Sequence, residues 1–240
     1  MGALTGNPVC SRPRPRYFPT MITVHHLENS RSQRVLWLLE EYGLEYEIRH
    51  YKRNPKTMLA PPELRAVHPL GKSPVIEDGD IKVAETGAIF DYLAETYDKG
   101  RLMPPKGTPE ARAVTYWLHY AEGSAMPPLL MKLVFDNLPN RAGALVRPIV
   151  KGIAQKAKDS FVDPRVQEHI EYWDAALNET GWFAGPSMTL ADLMMSFPLE
   201  AASVRAGASD RTNIKDFLKR IHDRPAYKTA LERGGPYAYA

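Results

Sequence analysis

The run from His68 to Thr96, HPLGKSPVIEDGDIKVAETGAIFDYLAET, constrains this chain more than any other. A Ser73-Pro74 bond precedes a short apolar run, Val75 and Ile76. Asp78-Gly79 follows, a dipeptide that tolerates the positive φ of a tight hairpin turn, and Ile81 to Ala84 reads as the return strand. Glu85-Thr86 then opens a helix with Ile89, Tyr92 and Leu93 on one face. Any fold for the chain must accommodate this order of proline, strand, hairpin, strand, polar pair and helix.

Upstream, Ile22 to Leu27 suits a buried strand and Glu28 to Arg31 a polar turn. Ser30 with Gln33 fits a capping box, Val35, Leu38, Leu39 and Tyr42 share a helical face, and Gly43 supplies the stop. Tyr46 to Tyr51 alternates as a second strand, and residues 52–67 read as loop and short helix entered through Pro61-Pro62. The resulting order, βαβ-α-ββα, is thioredoxin-like, with its first two strands parallel through the helical crossover. It spans 21–97, and the glycines and prolines of 98–108 mark a linker.

From 109 to 240 the chain reads as an all-α helical bundle. A long helix from Glu110 to Phe135 should bend or break at Pro127-Pro128, because each proline removes a backbone donor. Further helices run from Arg141 to Ser160, from a cap and first-turn proline at Asp163-Pro164 to Gly181, from Thr189 to Ala206, from Asn213 to His222 and from Pro225 to Arg233. Thr189 and Asp192 form a threonine-x-x-acid cap, with Met188 and Leu193 placed as a hydrophobic staple.

Composition excludes several classes. No stretch approaches the ~20 apolar residues of a membrane span. A net charge of +3, without a basic cluster beyond the first twenty residues, does not indicate a nucleic-acid partner. The proline-rich, aperiodic segment 1–20 reads as a disordered extension. The single cysteine, Cys10, lies in it, so there is no thiol at the start of the first helix and no intrachain disulfide. Sulfur chemistry would have to use a borrowed thiol, and the location expected is cytoplasmic.

The linked pattern GKSPV and ET, together with LENSRSQRVLWLLEE, resembles the cytosolic glutathione transferase superfamily, and is most similar to a fungal and bacterial subgroup without the N-terminal catalytic tyrosine. The resemblance extends over nearly the whole chain from Met21. It implies a homodimeric enzyme with glutathione as co-substrate, no metal, and a small hydrophobic electrophile as second substrate. It implies that Pro74 is cis and that Ser73 and Pro74 present backbone groups to the cysteinyl part of glutathione. Glu85 and Thr86 would grip the γ-glutamyl end, Lys72 the glycine carboxylate, and Arg31 would lie at the same site.

Two residues compete for the sulfur. The subgroup's motif puts the donor at Ser30, whereas counting back from Gly43 puts it at Asn29. A plainer role exists for each site residue. Ser30 can cap the helix, Glu85 and Thr86 can simply begin one, and Lys72 can be solvated. His25 and His26 are adjacent in a strand and point to opposite faces, so they cannot chelate one ion. Tyr116, Trp117 and Tyr120 have the spacing of core aromatics, while the family places its electrophile pocket against this helix, which makes Tyr120 and Ser124 candidates there. The expected activity is thiolate attack on an activated carbon, a peroxide or a disulfide. A non-enzymatic ligand-binding or protein-interaction module on the same fold is the alternative.

Overall fold

A computed structural model describes residues 21–239, so Cys10 and the rest of segment 1–20 lie outside the described residues. The first domain is a four-stranded mixed sheet of order β2-β1-β3-β4, built from β1 (Ile22–Leu27), β2 (Tyr46–Tyr51), β3 (Val75–Asp78) and β4 (Ile81–Ala84). β1 pairs parallel with β2 and antiparallel with β3, and the registers Val24 to Ile76 and Ile76 to Val83 carry one apolar row across three strands. Helices α1 (Gln33–Tyr42) and α3 (Thr86–Tyr97) pack together on this sheet, and α2 (Leu64–Val67) is a single short turn before the proline loop. Gly43 ends α1 with φ +62°, in the left-handed region that glycine adopts without cost.

The hairpin turn lies one residue later than the sequence suggests. Asp78 stays in β3 paired with Ile81, and Gly79-Asp80 forms the loop, with Gly79 at φ +57°. Asp78 is retained in the strand because its buried carboxylate accepts hydroxyl protons from Tyr92 (2.7 Å) and Tyr97 (2.5 Å) of α3. The linker is fastened by Asp98, which accepts the N–H groups of Leu102 and Met103.

The second domain comprises α4 (Pro109–Tyr120), α5 (Met126–Arg141), α6 (Arg147–Ala157), α7 (Asp163–Leu177), α8 (Leu190–Ala206), α9 (Thr212–His222) and α10 (Pro225–Gly234). Helix α8 is its centre, with every residue from Leu190 to Ala202 buried. Among the described residues no helix is long and apolar enough to cross a membrane.

Two helix boundaries differ from expectation. The break after α4 is a π-helical segment at Ala121–Ala125, ahead of Pro127-Pro128, whose missing N–H groups leave carbonyls of that segment without their helical donors. Asp163 caps nothing. Helix α6 begins only at Arg147 and runs through a second π segment, Lys158–Val162, into α7, so Asp163 has helical backbone and its carboxylate pairs with Lys132 at 2.8 Å.

The cap of α8 has the form that its sequence indicates. Thr189 accepts from Ala191 N, while the Asp192 carboxylate accepts from Thr189 N (2.7 Å) and Phe183 N (2.9 Å). Burial pushes the Asp192 carboxyl up to about 6, against the hydrogen bonds from Phe183 and Thr189 that favour the ionised form. The native state then holds a proton that the unfolded chain, with a carboxyl near ~3.9, has already released, so this residue costs stability as pH rises from about 4 to about 6. Asp192→Asn should flatten the urea-midpoint profile across that window, and Asp192→Ala should lose roughly 1–3 kcal/mol by stranding two buried N–H groups. An unchanged slope in the Asn variant would dismiss the carboxyl as its source.

Candidate functional site

The site is assembled where β1 hands over to α1. The Ser73-Pro74 peptide is cis, and Ser73 ties it to the end of β1: its Oγ accepts from Leu27 N at 3.1 Å and donates to the His25 carbonyl at 2.8 Å. The proline loop is therefore fixed beside the turn 28–32.

Within that turn Asn29 has φ +50°, a conformation that asparagine tolerates better than most residues. Its Oδ1 accepts from Ala238 N at 2.8 Å, and its carbonyl accepts from Arg53. Ser30 is buried, and its Oγ lies 2.7 Å from Ser32 Oγ and accepts weakly from Ser32 N at 3.3 Å. The expected capping box with Gln33 is absent. Helix α1 starts after Ser32 with no side-chain cap, the Ser30 hydroxyl is turned to Ser32 instead, and the buried Gln33 amide has no partner among the described residues. Ser32 Oγ continues to His26 Nδ1 at 2.8 Å. His25 points the other way, to Tyr51 and Glu77, as alternation along a strand requires. Among the described residues no group of three or more His, Cys, Asp or Glu is arranged to hold a metal ion.

Arg31 and Arg34 meet a carboxylate from the other domain. Glu122, in the first π segment, lies 2.8 Å from Arg31 and 2.5 Å from Arg34, whose guanidinium also donates to the Met194 carbonyl. Burial pushes the Glu122 carboxyl up, but Arg34 and Arg31 outweigh it and hold it below the ordinary carboxylate value. His26 and Glu122 are not site residues on the sequence alone, whereas Ser32 lies with Asn29, Ser30 and Arg31 where the first strand hands over to the first helix. Strand alternation carried the only signal for His26, and nothing local pointed to Glu122.

At the start of α3, Glu85 has φ +72°, well outside the usual range for glutamate, and its exposed side chain makes no cap bond. Thr86 beside it is buried. Glu85 lines a cleft of about 510 Å³ between α3 and α4, with Asp91, Leu118, His119, Glu122 and Met194 on its walls. Lys72 is exposed. The candidates Tyr120 and Ser124 do not line this cleft. The Tyr120 hydroxyl bonds His169 Nδ1 and accepts from Trp173 Nε1 at 3.1 Å inside the helical domain, where burial pushes its pKa up to about 12, and Ser124 is exposed.

A thioredoxin-like domain followed by an all-helical one is the architecture in which this site is set. Residues 19–95 match the family model described as "Glutathione S-transferase, N-terminal domain", and 145–233 match "Glutathione S-transferase, C-terminal domain". Glutathione S-transferase 1 of Saccharomyces cerevisiae is 31% identical over 89% of this chain and 95% of its own length, and Glutathione S-transferase 3 of Schizosaccharomyces pombe is 34% identical over 89% and 88%. A crystal structure of a glutathione S-transferase from Actinobacillus pleuropneumoniae shares 33% identity at a TM-score of 0.75, covering 89% of this chain and 93% of that one. The chain belongs to the glutathione S-transferase family.

Arg34 is almost wholly enclosed, so the interdomain carboxylate should matter for stability. Glu122→Ala leaves that guanidinium with the Met194 contacts and the Phe197 ring but no counter-charge and should cost about 3 kcal/mol in urea unfolding at neutral pH, with Glu122→Gln recovering part of it. Because the Glu122 pKa is lowered in the fold, this stabilisation is complete above the ordinary carboxylate range and fades as pH falls through the lowered value. A loss below about 0.5 kcal/mol in the Ala variant would count against the pair.

Proposed function

We propose that the protein binds glutathione between the β1–α1 turn, the Ser73-Pro74 loop and the start of α3, and presents it as a thiolate to a small hydrophobic electrophile. The observation that carries this reading is the Ser73 hydroxyl. By bridging His25 and Leu27 it sets the cis proline against the strand end that leads to Ser30, so that backbone groups for the cysteinyl moiety and a donor for its sulfur share one wall. The start of α1 adds free N–H groups and a partial positive charge. A free thiol near ~8.5 is mostly protonated at pH 7, and lowering it by ~2 units asks for ~2.7 kcal/mol, within reach of one or two charge-assisted hydrogen bonds and the helix terminus.

Ser30 is the donor in this reading, because its buried hydroxyl lies at the start of α1, whereas the Asn29 amide is anchored to the C-terminal tail through Ala238 N. Glu85 accepts from the γ-glutamyl ammonium, Thr86 donates to the adjoining carboxylate, and the exposed Lys72 meets the glycine carboxylate. The acidic wall from Asp91 favours an ammonium in the cleft, and the positive φ of Glu85 is a cost that such a role explains. Arg31 lends positive charge beside Ser30 while Glu122 holds it in place. The electrophile approaches from the α4 side, near Leu118 and the exposed Ser124, and the thiolate attacks its activated carbon, or a peroxide or disulfide in its place. Homodimerisation belongs to the same reading, supported by the exposed apolar row Leu130, Val134 and Leu138 on α5, as does a cytoplasmic location, supported by the single cysteine.

Glu85→Ala should weaken glutathione binding by about tenfold to a hundredfold in calorimetry, the loss of one hydrogen bond to a charged group. Unchanged affinity in a folded variant would take Glu85 out of the site. For the sulfur, Ser30→Ala should raise the pKa of bound glutathione by about one unit or more, and Asn29→Ala by less. Ultraviolet titration of the thiolate in the binary complex reads both without any electrophile. A shift in Asn29→Ala alone would move the role back by one residue.

A further inference from the structure

A thiol held at Ser30 must release its proton to become a thiolate, and a serine hydroxyl cannot keep it. Behind Ser30 the structure places two more groups in line, Ser32 Oγ at 2.7 Å and then His26 Nδ1 at 2.8 Å. All three residues are buried. Burial first, and then the neighbouring His50, push the His26 pKa down to about 4, while the Gly234 backbone and Glu28 pull it the other way, so the ring is neutral at pH 7. A neutral imidazole has one N–H and one lone pair. The Gly234 backbone engages the ring as well, and since Nδ1 is committed to Ser32, that bond falls to Nε2–H. Nδ1 therefore offers its lone pair. Ser32 donates to His26 at 2.8 Å in preference to the Leu27 carbonyl at 3.4 Å, Ser30 donates to Ser32, and the Ser30 oxygen is left as an acceptor toward a ligand. On its far side His26 stands edge-on to His50, which is exposed on β2, with ring centres 5.7 Å apart.

We propose that Ser30, Ser32 and His26 form a proton-exit path for the glutathione thiol, with the exposed His50 side as the way to solvent. The proposal rests on the reading that Ser30 meets the sulfur. The S–H proton passes to Ser30 Oγ as the Ser30 proton passes to Ser32 and the Ser32 proton to His26 Nδ1. The sulfur keeps the bonding pair, and Nε2 breaks its bond to the Gly234 carbonyl to give up its proton to water on the His50 side. The ring is neutral before and after, with its N–H moved from Nε2 to Nδ1. Every hydroxyl then donates outward, and the chain ends on the thiolate. His26 and Ser32 touch neither substrate and act through Ser30.

Rapid mixing with glutathione, followed by thiolate absorbance, tests the path, with calorimetry and thermal melts run on the same proteins. Ser32→Ala and His26→Asn should each slow the appearance of thiolate by roughly tenfold or more while glutathione affinity stays within about twofold, and Ser32→Thr, which keeps the hydroxyl, should restore the rate. Asparagine can still hydrogen-bond near the Nδ1 position but cannot pass a proton through, so a purely structural role for His26 would leave the rate untouched. If His26→Asn does not fold, the Ser32→Ala and Ser32→Thr pair decides alone. A wild-type rate in Ser32→Ala, with the thiolate signal lost in Ser30→Ala, overturns the path and leaves Ser30 in place. A full thiolate signal in Ser30→Ala overturns the reading of Ser30 itself, and the path with it.

Discussion

Helix α1 is enclosed by both domains, and the site depends on that enclosure. Val35, Leu36, Trp37, Leu38 and Leu39 are all fully buried, which a helix lying on a sheet with one face in water would not allow. Its second apolar face packs on α8 and α10, where Trp37 meets the Tyr227 ring edge-on. Fully burying a side chain of this size contributes about 1.5–3 kcal/mol, so several of them on the outer face make the helical domain a condition for the first domain's order. Polar groups follow the same division. Glu41 takes a two-pronged contact from Arg224 and Glu40 one from Arg233, so the end of α1 is fastened to α10 as its beginning is to Glu122.

The last residues of the chain close back on the same place. Glu200, buried in α8, accepts from the hydroxyls of Tyr227 (2.6 Å) and Tyr237 (2.5 Å) and lies 3.1 Å from His222 Nε2. A carboxylate removed from water is tolerable only when its lone pairs are used, and here α9, α10 and the tail supply the donors. With Tyr237 held, Ala238 N falls on the Asn29 side chain and Tyr239 receives Arg205 on its hydroxyl. The turn that positions Ser30 is thus shaped by a residue more than two hundred positions away.

Distances of that kind set the limit of what the sequence discloses. The strands, the Gly43 stop and the Thr189 box are written in residues a few positions apart, and each is legible because local sterics or local hydrogen bonds decide it. The link between Glu122 and the two arginines joins residues about ninety apart through the packing of two domains, and no local pattern announces it. The family resemblance supplied Glu85, Thr86 and the proline loop, whereas the link between Ser32 and His26 became visible only when the strand and the turn stood side by side. Asp163-Pro164 misled for a physical reason: an acid before a proline is a good helix start in isolation, but here the helix arrives from upstream and Asp163 answers Lys132 instead.

The two π segments show how a helix can keep a buried row on one face beyond what straight α geometry allows. Trp117, Ala121, Ala125 and Leu129 are all buried, at strict intervals of four. In a straight α-helix each step of four turns the side chain by about 40°, so three steps would carry Leu129 about 120° away from Trp117 and out of the core. Widening the turn at Ala121–Ala125 absorbs that drift and keeps the row facing α8. The neighbouring helix does the same. There the Lys158–Val162 segment lies between buried Ala154 and buried Val162 and packs on α5. Glu122 gains its position from the first of these widenings, next to Ala121 and turned toward α1, so the local departure from α geometry that holds the core row together also brings the carboxylate to Arg31 and Arg34.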